Sequence, residues 1–222
     1  MSLSPIFNRS FSGFLFDMDG TIINSFAATQ RAWGSWAIAN GIDPQTFLPT
    51  MHGIRGVDLI GGMGRPDLVP HVESAKVLAA EMDDVDGIVP ISGAIRFLSE
   101  LPADRWAVVT SAPRDLARRR LEAAGITPPR TMVVAEDVAV GKPDPACFRL
   151  GAERLGLSPQ DCLVFEDAHA GVTAAERAGT SVLVVTATHD LLAGTSHPTM
   201  ASYEDLHLEL DGTERLTLYR RG

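Results

Sequence analysis

The sequence predicts an α/β protein, a Rossmann-like, doubly wound parallel sheet core with an all-helical block inserted after its first strand. Three observations carry this. From Ile91 onward, short apolar runs alternate with helical patterns that close on glycine, the rhythm of parallel strands covered by helices on both faces. From Ile22 to about Pro90, by contrast, no convincing strand occurs. The apolar run Phe14-Leu15-Phe16, upstream of that block, reads as one more buried strand of the same sheet.

That first strand ends in Asp17-Met18-Asp19-Gly20-Thr21. Two carboxylates one residue apart repel each other unless a cation sits between them, and open parallel sheets collect ligands at the carboxyl ends of their strands. A solvated turn whose aspartate caps the next helix is the competing reading of the pair taken alone. In the helical block, Phe26, Arg31, Trp33, Trp36, Ala37 and Ile38 follow a helical pattern closed by Asn40-Gly41, and 72–82 reads as a second helix. The stretches His52-Gly53-Ile54-Arg55-Gly56 and Gly61-Gly62-Met63-Gly64-Arg65-Pro66 between them read as loops. The second is not a nucleotide phosphate loop, since no strand precedes it and no Gly-Lys-Ser/Thr follows. Hinges fall near 22–25 and 87–92, so that residues 1–23 and 91–222 are expected to form one domain and 24–90 a second.

After the hinge come a helix over 93–101, a strand over 106–110, a helix over 113–124 and a strand over 132–135. A helix over 146–155, a strand over 162–165, a helix over 170–178 and a strand over 182–185 follow. The alternating tail, Arg215 to Tyr219, reads as an added edge strand.

Composition narrows the partners. The chain has 222 residues, 45% of them hydrophobic and 21% charged, in the range of an ordinary globular protein. Its formal charge of −9 argues against nucleic acid and anionic membranes. No apolar run spans a bilayer and no secretion signal is read at the start, so the expected address is the cytoplasm. Cys147 and Cys162 are then expected to be reduced and buried, with no catalytic role.

Three further strand ends repeat the theme of the first. The run 106–109 leads into Thr110-Ser111-Ala112 and then Pro113 at a helix start, where hydroxyls beside free N–H groups make an anion site; Ser111 as a plain N-cap is the alternative. Gly141-Lys142-Pro143-Asp144-Pro145 presents one lysine in a stiff, extended segment suited to a fixed anion, against the usual fate of a surface lysine. Leu163-Val164-Phe165 ends in Glu166-Asp167, hard oxygen donors that suit Mg²⁺, though Asp167 as a helix cap is open too. His169, at the next helix start, is expected to face solvent.

Phe-Asp-Met-Asp-Gly-Thr, the strand ending in Ser111, Gly-Lys-Pro-Asp-Pro and Phe-Glu-Asp-Ala-His-Ala-Gly together resemble the four motifs of the haloacid dehalogenase superfamily, phosphatase branch, from about Phe11 to Leu210. Arg31-Ala32-Trp33 and His52-Gly53-Ile54-Arg55 look most like sugar-phosphate, glycerol-phosphate and deoxyglucose-phosphate phosphatases. The resemblance implies a helical cap over 24–90, and hydrolysis of a small phosphomonoester with Asp17 as nucleophile, forming an aspartyl-phosphate, and Asp19 as acid and base. It implies Mg²⁺ held by Asp17, the Asp19 backbone and Asp167 with Glu166 nearby. Lys142, Thr110, Ser111 and the Ala112 N–H would neutralise the phosphoryl group. Asp19 argues against a dehalogenase, which lacks the second aspartate. A sugar phosphomutase sharing the motifs is the alternative, and a receiver-type signalling module a remoter one, being shorter and without the insert. Substrate identity and oligomeric state are not readable. His52 and Arg55 are expected to meet the leaving group when the cap closes, with Arg55 pairing to Asp58 as the rival role.

Overall fold

The computed structural model describes residues 3–189, 192 and 194–222. Strand β1 (Leu3–Pro5) belongs to a small outlying sheet, whereas β2 (Gly13–Phe16), buried at all four residues, is central to the main one. β2 pairs in parallel with β5 (Trp106–Val109) on one side and β7 (Cys162–Glu166) on the other. Before β5 come β3 (Ile23–Asn24), the helices α1 (Phe26–Ala39), α2 (Pro44–Phe47), α3 (Gly56–Gly62) and α4 (Pro70–Asp83), then β4 (Val89–Pro90) and α5 (Ala94–Ser99). After β5 the chain runs through α6 (Arg114–Ala123), β6 (Met132–Val133) and α7 (Ala146–Arg154) to β7, and through α8 (His169–Ala178) to β8 (Ser181–Val185) and β9 (Thr199–Met200).

The strand order is β6-β5-β2-β7-β8-β9, all parallel. The chain winds outward from β2 to β6, then returns to β7 and winds the other way, so its direction reverses between β2 and β7. Such a reversal opens a crevice beyond the carboxyl ends of those two strands. Because helices cover both faces, the central strands are apolar on both sides. Phe14, Phe16, Phe97 and Phe165 pack on one face, with the Phe16 and Phe165 rings stacked at 4.4 Å, while Leu15, Val164 and Phe148 fill the other.

The helices α1 to α4 enclose a separate apolar cluster around Trp33, Trp36, Phe47, Ile60 and Val77. Its two indoles are anchored by buried acids, Trp33 Nε1 donating to Glu81 at 3.1 Å and Trp36 Nε1 to Glu73 at 3.0 Å. Four expectations are corrected. Strands do occur between Ile22 and Pro90: β3 and β4 pair antiparallel and tie together the two crossings into and out of the helical block. At two residues each they carry no readable period. Gly61 and Gly62, expected in a loop, close α3. The tail strand β11 (Leu216–Arg221) exists, but it pairs with β1 and β10 (Leu206–Leu210) in a separate antiparallel sheet and does not extend the parallel one. The strand expected over 132–135 stops at Val133, because the Asp137 carboxylate accepts the Val134 N–H and turns the chain into a single 3-10 turn.

Candidate active site

The register of β2 against β7 continues one residue past β2, where the Asp17 N–H donates to the Phe165 carbonyl at 3.0 Å. The chain then turns sharply: the N–H groups of Ile22 and Ile23 both reach the Met18 carbonyl, and Gly20 takes φ +85°. Only glycine fits there, since a β-carbon would collide with the Asp167 carboxylate as well as strain the backbone. The turn thus places the end of β2 directly against the end of β7.

Lys142 lies between them. Its buried ammonium donates to Asp17 Oδ1 at 2.5 Å and Glu166 Oε1 at 2.7 Å. Glu166 Oε2 accepts the N–H groups of Asp167 and Ala168 at 2.7 and 2.8 Å, so both of its oxygens are engaged. Carboxylate oxygens of Asp17, Glu166 and Asp167 all lie within 4.8 Å of one another. Three buried acids faced by one lysine leave negative charge uncompensated, and hard oxygens in this arrangement fit a divalent cation such as Mg²⁺. The electrostatics bear the same mark. Burial, together with Glu166 and Asp167, raises the Asp17 carboxyl well above the usual range against the pull of Lys142. Burial pushes Asp167 up to about 6, with His189 opposing. Burial works against the charge on Lys142, but Asp17 and Glu166 outweigh it and hold its pKa above the ordinary value.

Asp19 stands apart from this cluster. Its Oδ1 accepts the Ser25 hydroxyl at 2.5 Å and Arg120 Nη1 at 3.0 Å, while Oδ2 has no protein partner among the described residues. The Asp19 carboxylate is thus directed toward α1 and α6, and the expectation for this residue, that its backbone helps to hold a metal, does not involve the side chain. Ser111 Oγ donates to the Gly53 carbonyl at 2.8 Å, and the Ala112 N–H is taken by Thr110 Oγ1 at 3.1 Å. Ser111 is not the N-cap of α6, a position held by Pro113. His169 is exposed, and Cys147 and Cys162 are buried free thiols.

A cavity of about 460 Å³ separates the strand ends from the helical insertion, with Asp17, Asp19, Ser111 and Asp167 on one wall and Phe26 and His52 on the other. His52 stacks flat on Phe26 and meets the His189 ring at 4.7 Å; burial, then His189, lower its pKa to about 4 and keep it neutral. Arg55 lines the same cavity, but its guanidinium is taken up by protein groups. Two of its N–H groups fork onto Asp58 at 2.6 and 3.0 Å, and the others reach the carbonyls of Ala135, Val138 and Ala139 at 3.3, 2.8 and 3.0 Å. The expectation that Arg55 meets the substrate is corrected here: its rival pairing with Asp58 is present, and its remaining donors fasten the insertion to the loop after β6.

Two residues at the site carry no motif. His189 follows β8, with Nε2 2.9 Å from Asp167 Oδ2; another strand-end position was its only signal. Arg120 looks like part of a solvated Arg118-Arg119-Arg120 run, yet with Leu116, Ala117, Leu121 and Ala124 it falls at helical spacing on the buried stripe of α6. A charge on an apolar stripe asks for a partner.

A crevice at the strand reversal, lined by acids and strand-end hydroxyls with one buried lysine behind Asp17, defines a class of hydrolytic site for anionic groups. The chain belongs to the haloacid dehalogenase-like hydrolases, whose family profile matches residues 11–179. It is 40% identical over 184 residues to hexitol phosphatase A of Escherichia coli, covering 80% of this chain and 84% of that protein. It is 35% identical over 190 residues to glycerol-1-phosphate phosphohydrolase 2 of Saccharomyces cerevisiae, covering 80% and 75%. The fold is shared with a β-phosphoglucomutase from Clostridium difficile, at a TM-score of 0.70 and 23% identity over 79% of this chain and 84% of that one.

Proposed function

We propose that this protein is a Mg²⁺-dependent phosphatase that hydrolyses a small sugar or polyol monophosphate through an aspartyl-phosphate on Asp17, with residues 24–90 as a cap over a core of 1–23 and 91–222. The observation that carries the reading is the Asp17–Lys142–Glu166–Asp167 cluster at the floor of the cavity. Lys142 fixes Asp17 through Oδ1, which leaves Oδ2 to attack phosphorus as the bond to the leaving oxygen breaks. Asp19 gives a proton to the departing alkoxide, then takes one from the water that displaces Asp17 and frees phosphate. Lys142 and Ser111 meet the phosphoryl oxygens, Ser111 exchanging its bond to Gly53 for one to substrate. Asp17, Asp167 and the Asp19 carbonyl are the groups that would hold Mg²⁺, with Glu166 behind Lys142; when bound, the ion supplies positive charge to the phosphoryl group.

The relatives named above support a polyol or sugar phosphate, and the cavity favours a neutral leaving group. Among the described lining residues, Arg55 is paired with Asp58, Arg120 with Asp19 and Glu81, and His52 is uncharged. No cation there is free to meet the second phosphate that a phosphomutase must hold. Purified protein assayed with Mg²⁺ against hexitol, glycerol and hexose monophosphates and a hexose bisphosphate is expected to release phosphate from monophosphates with no bisphosphate activator. It is expected to stop in excess chelator. Isomerised sugar phosphate without phosphate release, or full turnover under chelation, would overturn the reading.

A further inference from the structure

The Arg120 guanidinium, on the core helix α6, is buried between the catalytic loop and the insertion. Nη1 donates to Asp19 Oδ1 at 3.0 Å, while Nη2 donates to Glu81 Oε1 on α4 at 2.8 Å and to Thr29 Oγ1 on α1 at 3.0 Å. Glu81 is in turn tied to the cap's own core by Trp33 Nε1 at 3.1 Å. One planar fork therefore joins Asp19 to two helices of the cap. The hydrogen bonds from Arg120 and Ser25 converge on one Asp19 oxygen, so the other, on the cavity wall, is the one left to carry a proton. A lysine has no fork with which to hold both acids in one plane. The burial is costly unless both acids are present, which is why a charged residue survives on the apolar stripe of α6.

We propose that Arg120 is a positioning residue that couples the seating of the cap to the orientation of Asp19, so that the proton donor is set for a polyol leaving group only while Glu81 and Thr29 are docked. The proposal rests on Asp19 acting on the leaving group. Its consequence is a dependence on the leaving group that a merely structural arginine would not produce. Nitrophenolate departs without a proton, whereas the alkoxide of a polyol needs one.

The test is rapid-quench phosphorylation of the full-length Mg²⁺ enzyme and of Arg120→Met and Glu81→Gln, each with 4-nitrophenyl phosphate and with a polyol monophosphate. Glu81→Gln keeps the side-chain volume and a carbonyl for Trp33, and stands in should Arg120→Met fail to fold. Both variants are expected to keep the wild-type nitrophenolate burst rate and to release polyol about 10² times more slowly, the low end of what a misplaced acid costs. In Arg120→Met, added Glu81→Gln should bring little further loss. An equal loss on both substrates, or unchanged rates with lowered thermal stability alone, would overturn the coupling. A wild-type enzyme that phosphorylates from neither substrate would overturn the underlying phosphatase reading instead, a result seen before any variant is compared.

Discussion

At the scale of single residues, the acid cluster of Asp17 and Glu166 depends on one buried lysine. Lys142 is enclosed with Asp17 and Glu166 on its ammonium and the Phe148 ring 5.1 Å away. Removing it has two separable effects. Lys142→Met should lower kcat by about 10² to 10³, as expected for a lost phosphoryl-stabilising group. It should also cost roughly 3–5 kcal/mol of stability, because Asp17 and Glu166 are left buried without their partner. Steady-state kinetics and urea denaturation measure the two effects; a variant that loses activity at full stability would show that the lysine is not a structural counter-ion. The residues of this cluster were legible because Asp17 and Glu166 stand at the ends of apolar strands and Lys142 sits in a short Gly-Lys-Pro-Asp-Pro motif. Arg120 and His189 were not, since their partners lie far away in sequence: Arg120 is 101 residues from Asp19 and His189 is 22 residues from Asp167. Asp19 was read by type but not by direction, because nothing local indicates that its carboxylate turns to α6.

At the scale of elements, the loop after β6 determines how the cap is held. Its carbonyls at Ala135, Val138 and Ala139 receive Arg55, and the loop is itself fixed by Asp137, on which Arg154 and Arg114 converge. Hydrogen bonds from Arg154 hold the Asp137 carboxyl down at about 2, below its ordinary 3.8. A depressed acid contributes stability above its unfolded pKa and loses it as pH falls through the folded one, here between about pH 4 and 2. Asp137→Asn should therefore cost about 1–2 kcal/mol at pH 7, after allowance for the partly exposed arginine, and the gap to wild type should close toward pH 2. Denaturation curves at both pH values check it. Arg55→Ala removes the fastening itself. Because the guanidinium meets carbonyls and Asp58, its loss is expected to lower turnover on polyol and aryl phosphates by the same factor; a selective loss on the polyol would return Arg55 to the substrate. The helices and central strands were readable from period and closing glycines. The hinge pair β3–β4 and the fastening loop were not, because a two-residue ladder and a carbonyl latch leave no trace in composition.

At the scale of the whole molecule, the two-way winding of the sheet and the helical insertion converge on the turn after β2. The connection between β9 and β10 contributes through buried Tyr203, whose hydroxyl donates to the Thr21 carbonyl at 3.1 Å and so braces the loop that carries Asp17 and Asp19. With a formal charge of −9, the protein as a whole repels an anionic substrate. Local positive charge beside Asp17 must therefore do the capturing. The central claim is that this charge serves covalent transfer to Asp17, and trapping the phosphoenzyme tests it most directly. Asp19→Asn, mixed with Mg²⁺ and 4-nitrophenyl phosphate, whose leaving group needs no proton, quenched in acid and digested, should carry one added phosphoryl group on the peptide containing Asp17, and Asp17→Asn should carry none. Sustained phosphate release with no label on that peptide, or an adduct that persists in Asp17→Asn, would contradict the account.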